Sequence, residues 1–317
     1  MTIGTEAILL GAGQVAFLLA GAPLLQGIIR KVKARFQSRN GPPLLQSYYD
    51  LAKLFSRSEM VADTASMIQL AAPWVVLGAM LAATLFVPMF AAATPLTRDG
   101  DLLVVVGLFA LSRAALTLGG MDSGSSFGQM GSSREVAVGA LVEPALLLSL
   151  AAVALATGTT RLGEMVAVGA NDGVGFINLA WGLALLGFAV VTLAETGRIP
   201  ADNPDTHLEL TMTHEAMLIE YSGRSLGVLH FAAMAKQFLL ACLIANLFFP
   251  FGLHTSPAAG EYVTGLALLC AKLAIVGVGL AVVESTLAKR RLYELPDLIG
   301  SAALAGMIAV AITVWQS

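Results

Sequence analysis

Apolar residues in this chain run in blocks rather than in stripes. Eight blocks stand out: Ile3–Ile29, Met67–Ala93, Asp101–Gly119, Val136–Thr157, Phe176–Glu195, Leu226–Pro250, Glu261–Glu284 and Asp297–Trp315. Each is close to the ~20 residues that a helix needs to cross the hydrocarbon core of a bilayer. Lipid offers no hydrogen bonds, so only helices or closed barrels satisfy a spanning backbone. No alternation at period two runs through the blocks, which argues against a barrel. The pattern predicts an all-α integral membrane protein, an eight-transmembrane-helix bundle forming one polytopic domain over residues 1–317. The first block starts without a basic leader and is too long for a cleaved signal, so it is read as a span.

Composition sharpens this picture. The chain is 57% hydrophobic and 12% charged, with a mean hydropathy of +0.79. A soluble domain carries about 25% charged residues. Half that fraction cannot solvate a globule of this size, so a soluble enzyme is excluded. The two cysteines, Cys242 and Cys270, both lie in apolar blocks. Two thiolates cannot hold an iron–sulfur cluster, and their spacing is not that of a zinc site. They are expected to be small buried hydrophobes.

Charge in the connections orients the bundle. The loops after spans 1, 3, 5 and 7 hold thirteen lysines and arginines, seven of them between Arg30 and Arg57. The loops after spans 2, 4 and 6 hold only Arg98 and Arg161. The positive-inside rule places the odd-numbered loops in the cytoplasm and both termini outside. The two long connections, Arg30–Ser66 and Thr196–Ser225, then form a cytoplasmic platform. The first contains the turn signal Asn40-Gly41-Pro42-Pro43.

Ionisable residues inside spans are costly and point to function. Arg113 and Glu143 lie six and seven residues from the cytoplasmic ends of their spans, roughly 10 Å deep. They can pair, either as structure or as a proton-relay station beside Pro144. Lys236 and Lys272 fall near the midplane, where two lysines at one depth can exchange protons. Glu195 and Glu284 sit at the cytoplasmic ends of spans 5 and 7. Together these six residues mark an expected proton path.

The acidic loop carries more. Asn203-Pro204 reads as a helix N-cap and first helical residue, predicting a short helix to about Ile219. Asp202, Asp205, Glu209, Glu215 and Glu220 crowd this stretch, with His207 and His214 seven residues apart on one helical face. That spacing is not the two-histidine, four-apart geometry of a helical zinc site, so no metal site is expected. The loop, with Arg39 from the first connection, reads as a docking surface for a partner.

The stretch Glu195–Gly223, ending Glu-Tyr-Ser-Gly, resembles the signature of the respiratory complex I subunit 1 family. So does the first loop, Arg39-Asn-Gly-Pro-Pro-Leu-Leu-Gln46 running on to Lys53-Leu-Phe55. Met121–Phe127, Gly131–Glu135, Leu141–Pro144, Lys236-Gln237 and Glu284–Lys289 resemble more closely the family's hydrogenase branch. That branch comprises the membrane subunits of formate hydrogenlyase and related group 4 nickel–iron hydrogenases. The resemblance covers nearly the whole chain. It implies a non-catalytic subunit that docks a peripheral redox arm and couples its electron transfer to ion translocation. Expected partners are hydrogenase large and small subunits, a ferredoxin-like iron–sulfur subunit and antiporter-like membrane subunits. Iron–sulfur clusters and a nickel–iron site are expected in those partners and no cofactor in this chain. The alternative is the quinone-binding subunit of a respiratory NADH dehydrogenase-type complex. Pro43-Leu44 in the first loop and Met234 in span 6 depart from the complex I pattern, and Lys236 fits the hydrogenase branch instead. A secondary transporter would show two similar halves, and the Thr196–Ser225 loop has no repeat.

Overall fold

The computed structural model describes residues 5–62, 65–96, 100–173, 178–202, 213–253, 259–288 and 294–316. The long helices among them are α1 (Thr5–Phe36), α3 (Met67–Thr84), α4 (Asp101–Asp122), α5 (Ser126–Thr157), α7 (Leu179–Glu195), α9 (Gly223–Leu243), α10 (Ala259–Thr286) and α11 (Leu295–Gln316). Seven of these are long and apolar enough to cross a membrane, and α7, with 17 residues, is shorter. Three small helices lie between them: α2 (Gln46–Phe55), α6 (Leu162–Asp172) and α8 (His214–Leu218). The chain is a multi-pass helical membrane protein.

Helix α9 is the centre of the bundle, with nearly every residue from Ala235 to Phe248 buried. It packs against α1 and α3, while α11 lies on α5 and α7, and α4 sits between α3 and α5. Association in lipid depends on close packing of small residues. A Cβ at Gly21 of α1 would come within 2.7 Å of the Phe238 ring, so glycine lets α1 approach α9. Phe17 then meets both Phe238 and Phe90 edge-on, with centroids 5.4 and 5.3 Å away.

Several boundaries differ from the sequence expectation. The second span stops at Thr84 rather than Ala93. Pro88 cannot continue the helix, and the segment that follows is a buried, non-helical loop. Irregular backbone at membrane depth survives only when protein groups satisfy it. Here Gln14 donates to the Val87 carbonyl at 3.3 Å, and Asn246 donates to the carbonyls of Pro88 and Met89 at 2.9 and 3.0 Å. Asn246 lies in a π-turn, Ile244–Phe248, that extends α9. Lys272 of α10 caps the end of that turn, donating to the Phe249 carbonyl at 2.7 Å. A cation at a helix C-terminus is favourable. At the other boundaries α1 runs to Phe36 and α5 starts at Ser126, so both extend beyond their apolar blocks. Cys242 is buried as expected, but Cys270 is exposed on the outward face of α10. An apolar block does not say which of its residues face lipid.

The two long loops are strapped together. The Ser222 hydroxyl donates to the Met60 carbonyl and accepts from the Met60 N–H, both at 2.8 Å. Ser225 donates to the Glu59 carboxylate. Asp122 caps α3, accepting from Ser66 N–H and hydroxyl at 2.8 Å and from Gln69 N–H at 3.1 Å. Beside it the Tyr221 hydroxyl is buried without a partner among the described residues. Burial, followed by the Asp122 charge, pushes this phenol up to about 12, so it stays protonated. Tyr221→Phe removes an unpaired buried hydroxyl. It is expected to be neutral or to stabilise by up to ~1 kcal/mol, read as thermal unfolding in detergent.

Candidate functional site: two buried charge networks

The first network is built on Arg113 of α4, which is 7% exposed. Its Nε donates to Glu135 Oε1 at 3.1 Å, one terminal nitrogen to Glu143, and the other to Glu195. A planar guanidinium presents five N–H groups in a fixed fork, so one arginine serves three carboxylates. Glu135, Gly139 and Glu143 follow one another on α5 at one-turn spacing and line a single face. A Cβ at Gly139 would come within 2.7 Å of an Arg113 terminal nitrogen and 2.8 Å of its Cδ, so only glycine leaves room for this arginine against α5. The network is completed by Lys236 of α9, which pairs with Glu195 Oε2. His214 Nε2 stands 3.6 Å from Glu135 Oε2, an electrostatic contact rather than a hydrogen bond. Two fixed cations thus face three carboxylates.

The end of α7 places both networks. Gly197 has a left-handed φ of 58°, and its N–H donates to the Ala194 carbonyl at 3.2 Å. The Arg198 N–H donates to the Leu193 carbonyl at 2.9 Å. This pair of bonds is a Schellman turn, which ends a helix and needs a glycine. A Cβ at Gly197 would also meet the His214 ring at 2.8 Å. The turn leaves Glu195 in the first network and swings Arg198 into a second. There Arg198 donates to Glu284 and Gln26, and to Gln237 at 2.7 Å. Lys33 stands 3.5 Å from the other oxygen of Glu284. Three helices, α1, α9 and α10, therefore meet the end of α7 on one buried arginine.

Two cavities flank these networks. The larger, about 550 Å³, opens beside α1, the 39–42 loop and α9, with Arg198 and Glu284 in its wall. The smaller, about 130 Å³, is lined by Arg113, Glu135, Glu195, His214 and Lys236. Thr196, Glu215 and His230 line both, so the cavities adjoin.

The residues expected on a proton path fall into two groups and one outlier. Arg113, Glu143, Glu195 and Lys236 share the first network, and Glu284 belongs to the second. Lys272 joins neither. It binds the far end of the α9 extension, thirteen residues beyond Lys236 or ~20 Å along the helix. The expectation of two lysines at one depth is corrected: Lys236 reaches back to the end of α7, and Lys272 caps a broken helix. Among the expected docking residues, Asp202 accepts the Thr213 N–H at 3.1 Å and so ties together the two ends of the 203–212 stretch. Glu215 lines both cavities, and Arg39 borders the larger. Glu220 receives Gln69 on its backbone carbonyl at 3.5 Å, beside the loop strap. Asp205, His207 and Glu209 lie outside the described residues, as does most of the helix expected from Pro204. Glu135, Arg198, Lys33, Gln26 and Gln237 are participants that the reading of intramembrane charges missed. The four-residue spacing of Glu135, Gly139 and Glu143 was the available signal for the first.

Residues 10–315 match the NADH dehydrogenase family. The chain belongs to that family. Within it, the chain is 35% identical over 288 residues to hydrogenase-4 component C of Escherichia coli, covering 90% of this chain and 89% of that one. It is 34% identical over 289 residues to formate hydrogenlyase subunit 4 of the same organism, covering 90% and 92%. NADH-quinone oxidoreductase subunit 8 of Rhodothermus marinus is 27% identical over 252 residues, covering 74% and 72%. The fold matches a chain of the archaeal membrane-bound sulfane sulfur reductase, with TM-score 0.85, 22% identity, and coverage of 97% and 99%. This member of the NADH dehydrogenase family is a complex I-like membrane subunit, of the kind found in hydrogenase-4 and formate hydrogenlyase.

Gly139 gives this family member a specific test. Gly139→Ala forces a guanidinium held by three carboxylates to shift. It is expected to cost ~1–3 kcal/mol, seen as a lower unfolding temperature in detergent. Gly107 of α4, where a Cβ meets nothing within 4 Å, is the control.

Proposed function

We propose that this chain anchors the peripheral redox arm of a group 4 nickel–iron hydrogenase complex and carries part of its proton path. The observation that carries this reading is the buried network of three carboxylates, two cations and a histidine. It runs from a cavity at the loop end of the bundle to a carboxylate on the lateral surface. Glu143 is that carboxylate: its side chain is 37% exposed near the middle of α5. A carboxylate facing lipid is costly, so a neighbouring membrane protein of the complex covers it and receives its proton.

The chemistry follows from the shared arginine. A proton reaching His214 or the smaller cavity meets Glu135 first. Protonating Glu135 weakens its hold on Arg113, which then turns more of its charge toward Glu195 and Glu143. The 130 Å³ cavity is large enough for a few waters, each needing ~30 Å³, to relay the proton. Redox change in the docked arm alters the field at the loops, and so the site at which the proton rests.

The arm docks on the platform formed by the loops 30–66 and 196–225, held as one unit by the Ser222 and Ser225 bonds. Its partners are hydrogenase large and small subunits, a ferredoxin-like subunit and antiporter-like membrane subunits. The partners hold the iron–sulfur clusters and the nickel–iron site. The membrane is the cytoplasmic one, with this platform inside and both termini outside. The 35% likeness to hydrogenase-4 component C supports this choice of branch. A quinone-reducing complex is the second reading. The size of the 550 Å³ cavity favours it, and the four cations in the lining count against it.

The test is purification through this chain in mild detergent, with mass spectrometry of the partners and metal analysis. Nickel with iron and a hydrogenase large subunit is the expected result. Iron without nickel, together with bound quinone, moves the chain to the second reading.

A further inference from the structure

The larger cavity has features that the proton network does not use. Its lining carries four cations, Arg30, Lys33, Arg39 and Arg198, against two carboxylates, Glu215 and Glu284. Arg30 is matched by Asp50 at 3.3 Å, and Arg198 and Lys33 share the two oxygens of Glu284, Lys33 at 3.5 Å. Arg39 donates to the neutral amide of Gln37. Gln237 also lines the cavity. It is 3% exposed, and its Nε2 donor has no partner among the described residues. A buried amide donor without an acceptor is rare and asks for a ligand atom that accepts. Positive excess and an idle donor describe a site for an oxyanion.

Depth narrows the class. Helix α1 has 32 residues, or ~48 Å, against a hydrocarbon core of ~30 Å. Arg30 and Lys33 sit in its last two turns, beyond the apolar run, at the level of lipid headgroups. The wall formed by residues 39–42 leads directly into α2, which with the residues before it presents exposed Leu44, Leu45, Tyr49 and Phe55. Apolar side chains exposed beside a cationic cavity at this depth are what an amphiphile with an anionic head requires.

We propose that this cavity binds a phosphate oxyanion, the headgroup phosphate of an anionic phospholipid. The phosphate meets Arg39, Lys33 and the Gln237 amide, and the acyl chains lie along Leu44, Leu45 and Tyr49. The lipid then wedges α1, the first loop and α9 at the base of the docking platform. This inference concerns a ligand of the chain itself and does not depend on which redox arm docks above it.

The experiment is native mass spectrometry of the detergent-purified complex, stripped of lipid and then titrated with phosphatidylglycerol, phosphatidylcholine or inorganic phosphate. Expected is saturable binding of phosphatidylglycerol in preference to phosphatidylcholine, weakened roughly tenfold or more by Arg39→Glu and less by Arg39→Gln. Thermal unfolding of both variants shows whether the complex remains intact. Arg39→Gln keeps the test open if the charge reversal disrupts assembly. Competition by millimolar inorganic phosphate without retention of lipid keeps the anion site and assigns it to the free ion, overturning the lipid assignment. Equal binding of both lipids, or phosphatidylglycerol binding unchanged in both Arg39 variants, overturns the proposal.

Discussion

Arg113→Met is expected to destabilise the bundle by ~3–5 kcal/mol and to lower the amount assembled in the membrane. The substitution keeps much of the length and removes the charge. Glu135, Glu143 and Glu195 are then left with Lys236 as their only fixed cation among the described residues. Two of these carboxylates are almost fully buried, away from bulk water. The penalty comes from that orphaned charge rather than from lost attraction. Removing it should therefore restore stability: Arg113→Met combined with Glu135→Gln, which leaves Glu195 its pair with Lys236, is expected to recover much of the loss. Arg113→Lys keeps the charge but has no planar fork, so it should fall between the two. Thermal unfolding of the detergent-purified complex checks the series. A single Arg113→Met variant that melts like the parent would show that these pairs do not hold α4 to α5 and α7.

Glu143→Gln is expected to cut coupled proton movement by roughly tenfold or more while leaving the fold intact. Glutamine keeps the shape and can still accept from Arg113, but it cannot carry a proton. Glu143 is partly exposed, so its neutralisation disturbs packing little. Proteoliposomes carrying the intact complex, with a pH-sensitive dye inside and redox turnover followed in parallel, separate the two effects. Loss of proton movement with turnover retained supports the route. Unchanged movement at equal turnover places the route elsewhere and leaves Glu143 as a structural partner of Arg113. Lys272→Met is the contrasting variant. Lys272 caps the Phe249 carbonyl far from the network, so its loss should lower stability without changing the ratio of protons to turnover.

These contrasts separate what is legible in the residues from what is not. The apolar blocks predict the spanning helices, because transfer into lipid depends on composition over ~20 residues and on little else. Arg113, Glu143, Glu195, Lys236 and Glu284 stand out for the same reason: charge inside such a block is conspicuous. Their partners are another matter. Glu195 and Arg198 are three residues apart, yet the Schellman turn at Gly197 sends them into separate networks. Lys236 and Lys272 look equivalent by depth and are not. One pairs with the end of α7, and the other caps a π-turn that no local pattern announces.

By itself, then, the sequence determined that this is a helical membrane protein with a basic loop end and buried charges near it. Those are consequences of hydrophobic transfer and of charge counted along the chain, both local and additive. Only the tertiary structure decided which carboxylates share Arg113, which cavity Arg198 borders and where irregular backbone is hidden. Those outcomes depend on contacts between helices far apart in sequence. There a single glycine, such as Gly139 or Gly197, sets whether a guanidinium or an imidazole can fit.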